Sequence, residues 1–253
     1  MTNYPESFYS SVTKRAHASS EIVAEILQDV LKPRSIIDVG SGEGVWINSM
    51  SNRFPSAVNL TAIDLQPHSS EYFEQLISPK LNFEFILRDF EKDHSLPNQN
   101  YDLAICLEVL EHLQTQTAEQ LAVEFAKSCS VLVFSAAVKG QGGTGHVNEN
   151  TLDYWIRLFQ QNDFIALDIL RPKLARNKQV PDYYKQNMIL FWHPENCTKN
   201  NTVFDLEALL IKNPIAVADT RKFLMKLQHF FISFLPHRVV TNIVVFLDKT
   251  VRR

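Results

Sequence analysis

Glycine is scarce in this chain: seven residues among 253, about 3% where an ordinary soluble protein holds about 7%. All seven fall in two short windows, Gly40, Gly42 and Gly44 in one and Gly140, Gly142, Gly143 and Gly145 in the other. Glycine is placed where φ is positive or where backbone must approach something closely, so these windows are where a site is sought. Cysteine is also sparse. Cys106, Cys129 and Cys197 are odd in number and scattered, with no CxxC pair. That excludes a disulfide scaffold and a thiolate metal centre, and suits a reducing cytoplasm. No run of eighteen apolar residues occurs, so a spanning helix is not expected, and the opening MTNYPESFYSSVTKR lacks the apolar core of a signal peptide. Charge of one sign is missing too: the net charge is -3, which argues against nucleic acid as a partner.

What the chain does have is alternation. Ile22, Val23, Ile26, Leu27, Val30 and Leu31 recur at helical spacing after Ser19 or Ser20, which reads as a capped helix stopped by Pro33. Residues 1–18 read as an N-terminal arm, irregular or in a short helix. Apolar strand-like segments at 35–39, 58–64, 81–87, 101–107 and 130–135 are separated by helical patterns at 45–54, 70–77 and 115–127. Such βαβ units predict a mostly parallel sheet covered on both faces, an α/β doubly wound fold. A helix is expected at 151–161, with Asn148 or Asn150 as its N-cap. Segments 164–170 and 188–192 complete a seven-stranded sheet as an antiparallel edge pair. The link between them, 171–187, is rich in Lys, Arg, Asn and Tyr and reads as a lid or a disordered loop; its Arg171, Lys173, Arg176 and Lys178 are candidates for an anionic substrate group.

Ligands of such sheets bind beyond the carboxyl ends of the strands. There the sequence places Asp38 before the first glycine turn, Glu43 inside it, and Asp64 at the end of the second strand, where a carboxylate can accept ribose hydroxyls. A pyrophosphate would be repelled by the two acids of the turn, so a zwitterionic or cationic ligand is expected rather than a dinucleotide. Asp89 and Phe90 end the third strand, and Leu107 and Glu108 the fourth.

Together, SIIDVGSGEG, Asp64, RDFEKD and YDLAICLEVLEHL resemble the class I methyltransferases that use S-adenosylmethionine (SAM) and release S-adenosylhomocysteine (SAH), over roughly residues 17–192. The resemblance implies that Asp38, Gly40 and Gly42 line the methionine moiety and that Asp64 holds the ribose, with Leu65 on the adenine. It further implies that Asp89 and Phe90 meet the adenine and that Leu107 and Glu108 close the cleft near the sulfonium. His17, near Lys14 and Arg15, is a candidate to fold the N-terminal arm over the cofactor, against a contact at the helix start. KRAHASS, VLVFSAAVKGQGGTGHVNENTLDYWIRLF and YYKQNMILF further resemble a bacterial subgroup of small-molecule methyltransferases associated with polysaccharide or secondary-metabolite genes.

An oxygen acceptor of high pKa needs a base. His146 follows the second glycine window and is the first candidate, against a structural role fastening the next helix; His112, four residues after Glu108, is the second. No metal is expected, because the segment after the fourth strand offers only Glu108 and Glu111, and no closed Cys/His set is visible. The expected activity is O-methylation of a sugar, glycan precursor or secondary metabolite, with N-methylation or a non-catalytic SAM-fold scaffold as alternatives. The catalytic domain is bounded at 19–194. Residues 195–253 form a helical extension, and the part from 197 carries nine Lys or Arg against four Asp or Glu. Its apolar faces at 219–253 are candidates for packing as a substrate cover, for a homodimer contact, or for peripheral binding to an anionic membrane.

Overall fold

Ile36 and Ile37 show why a sheet occupies the centre of the molecule. Neighbours in one strand, they point to opposite faces, and both are fully buried; apolar layers therefore have to cover the sheet on both sides. The computed structural model describes residues 6–66, 71–76 and 80–197. In chain order its elements are α1 (Glu6–Gln28), β1 (Ser35–Val39), α2 (Val45–Arg53), β2 (Asn59–Asp64), α3 (Glu71–Leu76) and β3 (Asn82–Leu87). They continue with β4 (Tyr101–Leu107), a 3-10 turn (Leu110–His112), α4 (Thr115–Ser128), β5 (Cys129–Ser135), α5 (Leu152–Gln160) and β6 (Ile165–Leu167). The last are α6 (Leu170–Leu174), α7 (Asp182–Asn187), β7 (Ile189–Trp192) and α8 (Pro194–Cys197).

The seven strands lie in the order β3-β2-β1-β4-β5-β7-β6. Strands β1 to β5 run parallel, and β7 pairs antiparallel with both β5 and β6. This is the doubly wound, mostly parallel sheet expected from the sequence, with the antiparallel edge pair. Chain direction across the sheet reverses between β1 and β4, so a crevice opens above their carboxyl ends. One core, around Ile36, Leu103, Ile105 and Val133, packs beneath Val23, Leu27, Trp46 and Met50 of α1 and α2. The other, around Ile37, Ala104, Leu132 and Phe134, packs against Leu121, Phe125, Trp155 and Phe159 of α4 and α5.

Several expectations are corrected. The boundary between an arm and the domain at residue 18 falls inside α1, which runs unbroken from Glu6. Ser19 and Ser20 do not cap it: their hydroxyls donate back to the carbonyls of Arg15 and His17, at 2.7 and 2.9 Å, the bond a mid-helix serine makes when its side chain turns back. The cap of α5 is Thr151, whose Oγ1 accepts the Tyr154 N–H at 3.1 Å, while Asn148 is a buried clamp that donates to the Leu110 carbonyl. The stretch 171–187 is no lid. It holds α6 and α7, with Leu174, Val180 and Tyr184 in the core. Arg171, 1% exposed, is bound to Asp168 through Nε at 2.8 Å and through Nη2, so it is not offered to a substrate anion. Expectations for residues 198–253, including the amphipathic faces at 219–253, lie outside the described residues. Among the described residues no helix is long and apolar enough to cross a membrane.

Candidate active site

The first glycine window is built by steric necessity. Gly40, Gly42 and Gly44 have φ of 76°, 51° and 77°, the left-handed region that costs other residues about 1–2 kcal/mol. A Cβ on Gly40 would stand 2.3 Å from Val109, and one on Gly44 would stand 2.5 Å from Phe73. A Cβ on Gly42 would meet nothing within 4 Å. The turn is thus packed at its two ends and open at its middle, facing the crevice.

Two carboxylates flank this opening. Asp38 is 3% exposed. It accepts the Ile47 N–H in the first turn of α2, and its Oδ2 is buried without a partner. Burial pushes its carboxyl up to about 8; the Ile47 bond works against the rise and the charge of Asp64 adds to it. Asp64, half-buried at the end of β2, accepts the Gly42 N–H at 2.8 Å on Oδ2 and the Gln66 N–H at 3.2 Å on Oδ1. Leu65 beside it is 45% exposed, an apolar face offered to whatever lies there. His17 sits on α1 with its ring 5.7 Å from that of Tyr72.

Asp89 and Phe90 are less open to a ligand than the sequence suggests. Asp89 accepts the Glu91 N–H at 3.1 Å and pairs with Lys92 at 2.8 Å; the Lys92 bond holds its carboxyl below the usual range, against a small burial penalty. Phe90 is 6% exposed and packed in the core with Ile63.

The other side of the crevice is formed where β4 and β5 end. Leu107 is buried in the core at the tip of β4. Glu108 follows with φ 57°, a strained conformation for a non-glycine residue. Its N–H donates to the Ser135 carbonyl at 2.9 Å, and its Oε1 accepts the Ser135 hydroxyl at 2.8 Å. Burial raises its carboxyl, with the Ser135 bond and the charge of His146 pulling back. Glu111 is fully buried. One oxygen accepts the Ala137 N–H at 3.1 Å, and the other has no hydrogen-bond donor. Burial, then the neighbouring Glu108, push its carboxyl well above the ordinary range.

The second glycine window wraps around Glu149. That carboxylate accepts the N–H groups of Gly140 and Gly142 at 3.0 and 2.8 Å and holds Nδ1 of His146 at 2.8 Å. Burial opposes its charge, but the His146 and backbone bonds outweigh it and leave Glu149 below its usual range. Gly140, Gly142 and Gly145 all have positive φ. Gly143 is glycine for space: a Cβ there would stand 2.2 Å from Cε1 and Nε2 of His146. His146 is buried, and its ring meets that of His112 edge-on at 4.8 Å between centroids. His112 is exposed along one edge and donates to the Gly145 carbonyl. Desolvation and the charge of His146 lower it to about 4, so it is neutral at pH 7.

The structure therefore brings Asp38, Gly42, Asp64, Leu107 and Glu108 to the crevice, and His112 and His146 to one adjoining corner. It also brings Glu111 to within 4.8 Å of both histidines, ligand atom to ligand atom. Sequence reasoning missed Glu149 as the anchor of His146, and it missed the Glu111, His112, His146 group. Glu149 is three residues from His146, within one turn of backbone, and that spacing was the available signal.

Residues 36–130 match the family model described as a methyltransferase domain, and 359 chains of known structure match the fold. A protein of Nostoc punctiforme assigned as an O-methyltransferase is 12% identical with a TM-score of 0.51, the match covering 69% of this chain and 55% of that one. The plantazolicin methyltransferase BpumL, solved with SAH, is 16% identical with a TM-score of 0.50, covering 73% and 85%. The small RNA methyltransferase HEN1 is 12% identical with a TM-score of 0.51, covering 69% and 25%. At these identities the likeness is one of fold, and this chain spans about half the length of the Nostoc protein. No curated protein sequence matches significantly. The protein is thus of the class I methyltransferase fold. Within it, residues 36–130 match the model of a methyltransferase domain, and BpumL, of the same fold, holds SAH, the product of the cofactor SAM. The donor set suits that cofactor: an open glycine backbone, an orphaned buried carboxylate oxygen for an ammonium, and a strand-end carboxylate for a diol.

Proposed function

We propose that this protein methylates an oxygen of a small-molecule acceptor, a sugar, glycan precursor or secondary metabolite. The observation that carries the proposal is the crevice above β1 and β4, where Asp38 and Asp64 face the open backbone of Gly42 and the His112–His146 corner adjoins. Bound SAM supplies an electrophilic methyl group on a sulfonium. The chain's own work is then to position and to manage a proton. Asp38 takes the ammonium end, Asp64 the ribose, and the exposed face of Leu65 the adenine. Holding acceptor and methyl in line contributes most of the acceleration in such a displacement.

On the acceptor side His146 is fixed by Glu149, leaving Nε2 as its working nitrogen, and His112 is neutral with an exposed edge. This pair is placed to take the proton a hydroxyl loses as it attacks. Support for the acceptor class comes from the resemblance of the 131–159 and 183–191 segments to small-molecule methyltransferases. The three cysteines, each free and buried, fit a reducing compartment. The test is a screen of sugars, phenols and amines with methyl-labelled SAM, run on wild type and His146→Ala. Label on an oxygen, lost in the variant while SAH binding persists, is the expected result; label only on nitrogen, or turnover equal in the variant, would sink the oxygen assignment or the role of His146.

A further inference from the structure

The corner beyond the strand ends holds more than a proton acceptor requires. Glu111 and the two histidines present ligand atoms within 4.8 Å of one another. Each histidine is already fastened through a second contact: His146 by Glu149 at 2.8 Å on Nδ1, His112 by the Gly145 carbonyl. Metal-bound imidazoles are oriented in this way, with one nitrogen held by a carboxylate or carbonyl and the other turned to the ion. Independently, Glu111 is 0% exposed and its Oε2 has no donor. The neighbouring carboxyl is that of Glu108, with which it shares a hydrogen bond. A buried carboxylate oxygen facing a second carboxylate calls for a cation or a shared proton between them.

We propose that Glu111, His112 and His146 bind a divalent first-row transition-metal ion that in turn holds the acceptor's hydroxyl oxygen. This deepens the methyltransferase reading and rests on it for the acceptor. Two imidazoles and one carboxylate select zinc, manganese or iron over magnesium or calcium, which prefer an all-oxygen shell. Three protein ligands leave coordination positions open, as catalytic sites do. Bonds of about 2.0–2.2 Å bring ligand atoms to about 3–4 Å apart, so the corner closes by roughly 1 Å on the ion. Such an ion would acidify the acceptor's hydroxyl in place of an imidazole base, letting its proton pass to water by the exposed His112. The hydroxyl's oxygen forms the bond to the methyl carbon, and the broken carbon–sulfur pair stays on sulfur.

The test uses tag-free, full-length protein stripped with chelator and dialysed. Cobalt(II) is titrated by visible absorption into wild type, His112→Ala, His146→Ala and Glu111→Gln, with zinc competition and SAH calorimetry on each sample. Expected are one cobalt per chain in wild type, displaced by zinc, and affinity weakened at least 10-fold in both histidine variants while SAH binding is unchanged. SAH binding also certifies that each variant is folded. Cobalt binding that is absent, or equal in wild type and both histidine variants, overturns the ion site and leaves the methyltransferase reading standing. Cobalt bound as expected with no SAH binding keeps the ion site and overturns that reading.

Discussion

Replacing Asp38 by Asn is predicted to make the cofactor-free protein more stable and the cofactor-bound protein unobtainable. Asp38 is 3% exposed, keeps a single backbone donor in Ile47, and leaves Oδ2 unpartnered. Its carboxyl is raised to about 8, chiefly by burial. A raised carboxyl binds a proton in the folded chain that the unfolded chain has lost, so its contribution is fully present below the unfolded value of 3.8 and disappears as pH climbs towards 8. The slope is about 1.4 kcal/mol per pH unit within that window, or up to roughly 3 kcal/mol between pH 5 and pH 7. Asn keeps an oxygen for Ile47 and cannot ionise, so at pH 7 the variant is expected to gain up to about 4 kcal/mol. Urea unfolding of cofactor-free wild type and variant at pH 5, 6, 7 and 8 reads both effects. The ammonium of the cofactor reverses the balance by favouring the carboxylate, so SAH binding below pH 8 should release a proton, visible as a buffer-dependent binding enthalpy in wild type. A wild type whose stability does not fall over this range, together with a destabilised Asn variant, would refute the reasoning.

The glycine turn should separate packing from binding. Gly40→Ala drives a methyl into Val109 and is expected to cost about 2–5 kcal/mol of strain and overpacking, measured by thermal unfolding; Gly42→Ala has open space, costs only about 1–2 kcal/mol, and should weaken SAH at least 10-fold by calorimetry. Gly143→Ala pushes on His146 from 2.2 Å and should abolish methyl transfer without changing SAH affinity. Arg171→Ala leaves Asp168 without its buried partner and is expected to cost about 3–5 kcal/mol in urea unfolding, which a mobile surface loop would not show.

How much of this was visible in the sequence depends on the range of the interaction. The strands were legible because a sheet covered on both faces needs nearly continuous apolar runs, and 35–39 and 130–135 are such runs. The glycine turn and Asp64 were legible because their positions follow from where strands end. The N-terminus of α1 was misread because two adjacent serines look like a cap, yet in the fold Ser20 reaches Ser49 on α2 at 2.7 Å and stays inside the helix. The stretch 171–187 looked like a solvated charge run: Asp168, three residues before Arg171, was an available signal for their pair, but the inward turn of Arg171, towards the Gln186 carbonyl, is set by contacts distant in sequence. The corner of Glu111, His112 and His146 was hidden for the same reason. Its members come from the 3-10 turn after β4 and from the loop after β5, and only the pairing of those two strands brings them together. Phe90, expected beside the adenine from its place after a strand end, packs in the core with Ile63.

The central claim is that the crevice binds SAM through Asp64 and the open glycine turn. Calorimetric titration of SAH into full-length protein, with Asp64→Ala alongside, tests it most directly. The account predicts micromolar binding to wild type and at least 10-fold weaker binding to the variant, with both proteins folded by circular dichroism. Binding of equal strength in the two, or none to folded wild type, would contradict it.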